Sequence, residues 1–212
     1  MALAPPPDPA DLDPLVIEIA AGTPIVRVHS ATRSADVFNP GLGTSSRFAP
    51  LHRMDGSPIP TLYAATTVAG ALSESVFHDV PYRGRGKRVL AARLAGLAIS
   101  TLIIEEPMRL AMLAGLGLHR LGVRRRDLIE SGPGTYAATA SWALALYSCP
   151  AAPSGLLWTS RQDDTARALL LFGDRIPGTG LLVASNPISL ATGPGLALVD
   201  DAAALAAITV VR

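Results

Sequence analysis

The hydrophobic and polar positions of this chain follow two periods, one typical of strands and one typical of helices. Residues 24–29 are rich in β-branched side chains and follow Gly22, which predicts a strand with Arg27 inside it. A second short strand is expected at 61–65. Glycines and prolines recur through residues 30–60, so we expect this intervening segment to be mostly loop.

A helix is expected directly after the second strand. Val68, Leu72 and Val76 recur at a four-residue spacing within residues 66–78, and threonines at the start of this segment can cap the first amide groups. At about 100° per residue, Glu74 falls well off the apolar stripe of this helix. We therefore expect the Glu74 carboxylate to face either solvent or a cleft.

The rest of the chain mixes both periods without a regular βαβ repeat, so the element order predicts an α+β fold rather than a doubly wound parallel sheet. Helices are expected at residues 108–118 and 136–147, and strands at residues 87–94, 100–104, 155–160, 168–172, 181–183 and 208–211.

Length and composition fit one globular domain. The chain has 212 residues, of which 49% are hydrophobic and 17% charged, and this balance excludes a disordered or collagen-like chain. Residues 1–14 hold five prolines and three aspartates, which predicts a flexible or surface-draped arm. A single domain is expected over residues 15–212.

The charge balance and the apolar runs argue against nucleic acid and membranes as direct partners. The formal net charge is +1, and the arginine run at 124–126 has no interleaved aromatic residues, which is more typical of a solvated face. No uninterrupted apolar run reaches the roughly 18 residues of a membrane span, and the N-terminus lacks the basic region of a secretory signal. We expect a soluble, cytoplasmic protein.

Metal chemistry has no support in the sequence. The chain has one cysteine and four histidines, and the histidines are scattered without a recognised ligand spacing. The glycine-rich signatures of dinucleotide and triphosphate sites and the serine-hydrolase signature are missing as well.

Five polar residues lie in apolar or glycine-bearing surroundings: Arg27, Arg47, Tyr63, Glu74 and Ser160. Each has an ordinary interpretation when it is taken alone. Glu74 is then a solvated helix carboxylate. For Arg27 two interpretations are about equal: a strand residue that pairs with a carboxylate, or a residue that binds phosphate. Tyr63 is then part of the core, and Ser160 caps the end of a strand.

Three segments resemble, in the expected order, the motifs of the RES family, the toxin components of bacterial toxin-antitoxin pairs. Residues 43–50 are similar to its glycine loop followed by R-[FW]-x-P. Residues 61–74 are similar to its L-Y-x-A segment and the alanine-rich helix that ends in glutamate. Residues 155–162, with the strand at 169–172, are similar to its late G-[IL]-x-[YW]-x-S element. Order across three segments is more specific than any one short motif.

The resemblance implies an ADP-ribosyltransferase-like fold of mixed sheets with flanking helices. It also implies an enzyme that takes NAD as substrate, breaks the bond between nicotinamide and ribose, and passes ADP-ribose to phosphate or water without a metal. A helix-turn-helix antitoxin of the Xre type is the implied protein partner. Two alternatives stay open at this point: ADP-ribosyl transfer onto a target protein, and a non-enzymatic protein that binds a partner or an anion.

The residue types suit this chemistry. Breaking an N-glycosidic bond builds positive charge on the ribose, and a carboxylate such as Glu74 lowers that barrier. Ser160 can serve a ribose hydroxyl or a phosphate as both donor and acceptor. With Arg27, these residues form the expected catalytic set.

The expected binding residues overlap with that set. Arg27 and Arg47 offer guanidinium groups with bidentate geometry for phosphates. Tyr63 offers a flat face to the nicotinamide ring, and Ser160 a compact hydroxyl. His52 follows the Arg47 loop closely and is a further candidate, although a lone loop histidine is more often unrelated to function.

Overall fold

The computed structural model describes residues 3–84 and 86–212, so the first two residues of the expected arm lie outside the described part of the chain. The strands are β1 (Val16–Ile19), β2 (Pro24–Ser30), β3 (Leu51–His52), β4 (Pro58–Ile59), β5 (Thr61–Ala65), β6 (Arg88–Leu90), β7 (Leu97–Ile104), β8 (Met108–Met112), β9 (Gly155–Thr159), β10 (Arg167–Phe172), β11 (Leu181–Val183), β12 (Ile188–Ser189) and β13 (Thr209–Val211). The α-helices are α1 (Val68–Ser73), α2 (Leu116–Arg120), α3 (Arg125–Leu128), α4 (Tyr136–Ser148) and α5 (Gly193–Leu205).

One large sheet organises the molecule. Its strand order is β1-β8-β9-β10-β5-β2-β7-β11, and β12 also pairs with β7. All of these pairings are antiparallel except that of β8 with β9, so the sheet is mixed. Two further sheets have two strands each, β6 with β13 and β3 with β4. Strands and helices are interspersed along the chain, which confirms the expected α+β fold.

The two faces of the central strands belong to different parts of the core. Trp158 and Phe172 point to the face covered by α4, where Trp142 is also buried. Leu157 and Leu169 point to the opposite face, since successive side chains of a strand alternate between its two sides. Both faces are therefore buried. This explains why the sequences of these strands are continuous apolar runs rather than an alternation of apolar and polar residues.

Strand β2 leaves its neighbour β5 after a single paired position. Val26 pairs with Ala65, whereas β2 stays paired with β7 along its whole length, from Pro24 opposite Ile103 to Ser30 opposite Leu97. Beyond Val26 the edge of β2 that faces β5 is open. The gap between these two strands is where the candidate site begins.

The helix expected over 66–78 is shorter in the structure. Thr67 caps α1 as expected, since its Oγ1 accepts the Gly70 N–H at 2.9 Å. The helix ends at Ser73, however, and Glu74 is its C-cap. Phe77 and Val80 are buried in the same cluster as Leu72 although they follow the helix. The apolar spacing past Ser73 therefore reflects core packing rather than helical periodicity.

The prediction of a helix over residues 108–118 is wrong. Its first half is strand β8, which lies between β1 and β9, and only α2 is helical. A short apolar run that is buried on both sides has the same signature in a strand and in a helix, and here the neighbouring strands decided the outcome. The strand expected over 87–94 likewise ends at Leu90 and continues as a 3-10 helix over Ala91–Leu94.

The described part of the arm, residues 3–14, lies against α4. The Trp142 indole N–H donates to the Ala4 carbonyl at 2.8 Å, and Leu12 is only 6% exposed. Arg120 forms an ion pair with Asp13. Within the described residues, no helix is both long enough and apolar enough to cross a membrane.

Candidate active site

A cavity of about 460 Å³ opens where the loop before β3, the end of α1 and the start of α4 meet. We call it the inner cavity. Its lining includes three residues that the sequence singled out, Arg47, Tyr63 and Glu74, and two that it did not, His78 and Tyr136. The side chains that converge here carry a carboxylate, a guanidinium, an imidazole and phenol groups.

Glu74 is held by three donors. Its Oε1 accepts the Ser160 hydroxyl at 2.7 Å and the Arg161 backbone N–H at 2.9 Å. Its Oε2 accepts the Trp158 indole N–H over a longer 3.4 Å. All three donors come from β9 and the residues just after it, so a buried strand of the central sheet fixes the orientation of the carboxylate.

Ser160 lies behind Glu74 rather than in the cavity wall. Its exposed surface is 0%, and its hydroxyl donates to Glu74 while accepting the Gln162 backbone N–H at 3.4 Å. The structure therefore brings Ser160 and Glu74 together. In this arrangement the Ser160 hydroxyl holds the Glu74 carboxylate in position.

Arg47 brings a buried positive charge to the inner cavity. Its side chain is 3% exposed, and one guanidinium nitrogen donates to the Ser131 carbonyl at 3.0 Å. Burial lowers the pKa of Arg47, while the nearby Glu74 carboxylate acts in the opposite direction. Among the described residues no carboxylate lies within salt-bridge distance of Arg47, so its charge is available to an anion.

Tyr63 ties the Arg47 loop to β5. Its hydroxyl accepts the Phe48 backbone N–H at 3.0 Å and shares a 3.0 Å hydrogen bond with Ser46 Oγ. Burial raises the pKa of Tyr63 to about 12. The ring lines the inner cavity and meets Trp158 edge-on, with 6.1 Å between the ring centroids. The hydroxyl thus holds the loop that carries Arg47, and Tyr63 also contributes to the lining of the inner cavity.

His78 is the functional candidate that sequence reasoning missed. Its Nδ1–H donates to Asp79 Oδ1 at 2.9 Å, which leaves the Nε2 lone pair facing Tyr136 OH at 3.4 Å and an Arg47 nitrogen at 3.5 Å. The side-chain amide of Gln162 lies 3.3 Å from the His78 carbonyl and ties this turn to the end of β9. No local pattern marked it, because α1 ends at Ser73 and the four-residue spacing from Glu74 to His78 therefore lies outside a helix.

Arg27 lies in an adjoining cavity of about 240 Å³, which we call the middle cavity. The two cavities share the residues Val28, Ser46 and Tyr63, so they adjoin each other at the open edge of β2. The Arg27 guanidinium donates to the carbonyls of Ala35 and Val37. Burial lowers its pKa to about 10.

His52 is exposed on the hairpin of β3 and β4, where it pairs with Pro58. It lines neither the inner nor the middle cavity. The structure thus brings Glu74, Ser160, Arg47 and Tyr63 together and places Arg27 next to them. It leaves His52 outside the group.

Comparison with known proteins adds two findings. The family model of the RES domain matches residues 24–192. The fold is similar to that of the toxin in the crystal structure of the M. tuberculosis MbcT-MbcA toxin-antitoxin complex, with a TM-score of 0.64, 14% sequence identity, and coverage of 89% of this chain and 92% of that chain. No curated protein matches the sequence.

Proposed function

Since the chain belongs to the RES domain family, we propose that it is the toxin of a toxin-antitoxin pair and that it cleaves NAD between nicotinamide and ribose. The observation that carries the proposal is the Glu74 carboxylate, which three donors hold at a cavity that the Arg47 guanidinium also lines. ADP-ribose is then passed to inorganic phosphate or to water.

Glu74 stabilises the charge that develops on the ribose. When the C1–N bond breaks, its electron pair returns to the pyridinium ring, nicotinamide leaves as a neutral molecule, and the ribose becomes cationic. A carboxylate beside that carbon stabilises the transition state more than the ground state, and it therefore lowers the barrier. Because Ser160 and the Arg161 N–H already hold Glu74, the carboxylate needs little reorganisation during the reaction.

Arg47 and Arg27 suit the two phosphates of NAD. They line adjoining cavities. Arg47 is buried and Arg27 is half-buried, and neither has a carboxylate within salt-bridge distance in the described residues. A guanidinium offers several donors to phosphate oxygens and makes a glycine-rich loop unnecessary.

His78 suits the activation of the acceptor. With its Nδ1–H donated to Asp79, the Nε2 atom can take the proton of water or of monohydrogen phosphate while the acceptor oxygen bonds to the ribose carbon. The proton moves to Nε2, the new C–O bond replaces the C–N bond, and nicotinamide is the leaving group. This assignment makes His78 a catalytic residue of the proposed reaction.

The similar fold of MbcT, solved in a complex with the antitoxin MbcA, supports an antitoxin partner for this chain. We propose a helix-turn-helix protein of the Xre type, one segment of which covers the cavities. A carboxylate of that segment would take the place of an NAD phosphate at Arg47, since guanidinium groups bind carboxylates and phosphates with the same geometry. Antitoxin and a non-cleavable NAD analogue would then compete for the toxin.

The test is direct. Purified protein is incubated with NAD, and free nicotinamide and the ADP-ribosyl product are followed with and without phosphate. We expect nicotinamide release, with ADP-ribose 1″-phosphate as the product when phosphate is present and free ADP-ribose when it is not. Label transferred to protein instead would favour a protein ADP-ribosyltransferase. An absence of nicotinamide release under all conditions would refute NAD cleavage.

A further inference from the structure

A third cavity, of about 370 Å³, continues the groove beyond Arg27. We call it the outer cavity. It shares Arg27, Asn39 and Leu42 with the middle cavity, which in turn shares Tyr63 with the inner one. The three cavities therefore adjoin one another in a row at the open edge of β2, and we call this row the groove. A groove of this kind suits an elongated ligand with chemically different ends.

Two exposed apolar side chains wall the outer cavity. Val37 is 45% exposed and Leu42 is 58% exposed, and both belong to the loop after β2. Small-molecule sites present apolar surface to the flat rings of their ligands and a few polar groups to the rest. The hydroxyls of Ser30 and Thr32 supply such polar groups at the same cavity. This combination suits the base and ribose of a nucleoside.

The charged side chains that line the outer cavity are cationic, and the Asp36 carboxylate, which is not part of the lining, opposes the lowering of the Arg27 pKa by burial. Among the described residues that line it, none is acidic, and Arg27 and Arg33 are cationic. His29 bonds the Ser100 hydroxyl and the Ser30 carbonyl through its two ring nitrogens, and burial lowers its pKa, so it stays neutral near pH 7. Arg27 is engaged by two carbonyls, whereas Arg33 has no ion pair in the described part of the chain.

This charge pattern affects whether the site can bind a dinucleotide that carries a 2′-phosphate. Sites that select NAD commonly place a carboxylate on the 2′-hydroxyl of the adenosine ribose, and an arginine nearby accommodates a 2′-phosphate instead. The described lining of the outer cavity has the arginine and lacks the carboxylate. The same physical reasoning applies to any fold, because a carboxylate repels a phosphate and a guanidinium binds it.

We propose that the outer cavity is the subsite for the adenosine half of the dinucleotide and that Arg33 lets it accept a 2′-phosphate, so that NADP is a substrate as well as NAD. Leu42 and Val37 pack against the adenine ring, and Arg33 pairs with the 2′-phosphate. The inference rests on the proposed function for the inner cavity and adds a second class of substrate to it.

The test compares three substrates that carry the same scissile bond: NAD, NADP and nicotinamide mononucleotide, which lacks the adenosine half. We expect wild-type protein to cleave NADP with a kcat/KM within about tenfold of that for NAD. Arg33→Ala should lower kcat/KM for NADP by about tenfold or more, because a charge-assisted hydrogen bond is lost, and that for NAD by at most about threefold.

Leu42→Ala should raise KM for NAD and NADP alike and leave nicotinamide mononucleotide unaffected, because only the first two place a base at this side chain. Arg93→Ala and Leu116→Ala are the matched controls, since both residues are exposed and neither lines the groove. Failure of wild-type protein to cleave NADP when it does cleave NAD, or an equal loss for NAD and NADP in Arg33→Ala, would overturn the proposal.

A binding measurement separates this proposal from the proposed function. Calorimetry of wild-type protein and Arg33→Ala with AMP and with adenosine 2′,5′-bisphosphate needs no turnover. If no substrate releases nicotinamide but the bisphosphate binds wild-type protein more tightly than Arg33→Ala, the cleavage reaction is refuted and the subsite stands. Equal binding of the bisphosphate to both proteins would refute the role of Arg33 even in an active enzyme.

Discussion

The inner and outer cavities lie at two ends of one groove but are built in different ways. In the inner cavity Glu74, Arg47 and Tyr63 are each held by partly buried hydrogen bonds, to Ser160, Ser131 and Phe48 respectively. In the outer cavity Leu42 and Val37 are exposed, and Arg33 makes no ion pair within the described residues. Polar groups that act on a transition state benefit from being fixed in advance, whereas a binding surface tolerates adjustment.

This difference predicts that single substitutions in the inner cavity lower the rate of nicotinamide release most. Glu74→Gln keeps the shape of the side chain and removes its charge. We expect nicotinamide release to fall by about 10²–10³-fold, mainly in kcat, because the charge acts chiefly in the transition state. Glu105→Gln is the matched control, since Glu105 is exposed and lines none of the three cavities. Near wild-type turnover in Glu74→Gln would remove Glu74 from the mechanism.

The next largest effect is expected at Arg47. Arg47→Lys retains the charge but loses the planar, bidentate donors, so we expect KM for NAD to rise by about tenfold or more with a smaller change in kcat. Arg126→Lys, at an exposed position of α3, is the matched control and should change neither constant. A Lys variant with unchanged KM would show that Arg47 does not hold a phosphate.

A smaller effect is expected from Tyr63→Phe, which keeps the ring and removes the hydroxyl. The Phe48 N–H and the Ser46 hydroxyl would each lose a partner, at a cost of about 1–3 kcal/mol in the free energy of unfolding. We expect KM for NAD to rise a few-fold, because the loop that carries Arg47 is less well held. Denaturant unfolding and steady-state kinetics on the same preparation measure the two effects. Unchanged stability together with a large fall in kcat would mean that the hydroxyl contacts the substrate instead.

The smallest effect is expected at His52. His52→Ala should leave kcat, KM and stability within about twofold or 0.5 kcal/mol of wild type, as is usual for exposed side chains that lack structural roles. The structure places this residue on an exposed hairpin outside the groove. His78→Gln is the informative comparison, because His78 lines the inner cavity and is expected to lower kcat in our mechanism. A loss of activity in His52→Ala would extend the site toward the hairpin.

Several parts of the candidate site could be predicted from the sequence because their signals are local. The off-stripe position of Glu74, the β-branched run that carries Arg27 and the polar end of the run before Ser160 are all visible within a few residues. Only the order of the motifs placed Glu74 and Ser160 in one site, and the sequence did not predict that the two side chains pair. No local pattern shows that the Ser160 hydroxyl is fully buried and donates to the carboxylate.

The sequence by itself determined the elements whose patterns are local: β5, β11 and α4 occupy almost the positions expected for them. It also determined the polar residues available for chemistry. The tertiary structure alone decided that residues 108–112 form a strand, because an apolar run that neighbours bury on both sides has no distinctive period. It also decided that α1 ends at Ser73 and that His78 meets Tyr136, which lies 58 positions further along the chain. Contacts between distant segments depend on how the sheet and its loops pack, and no short window of sequence contains that information.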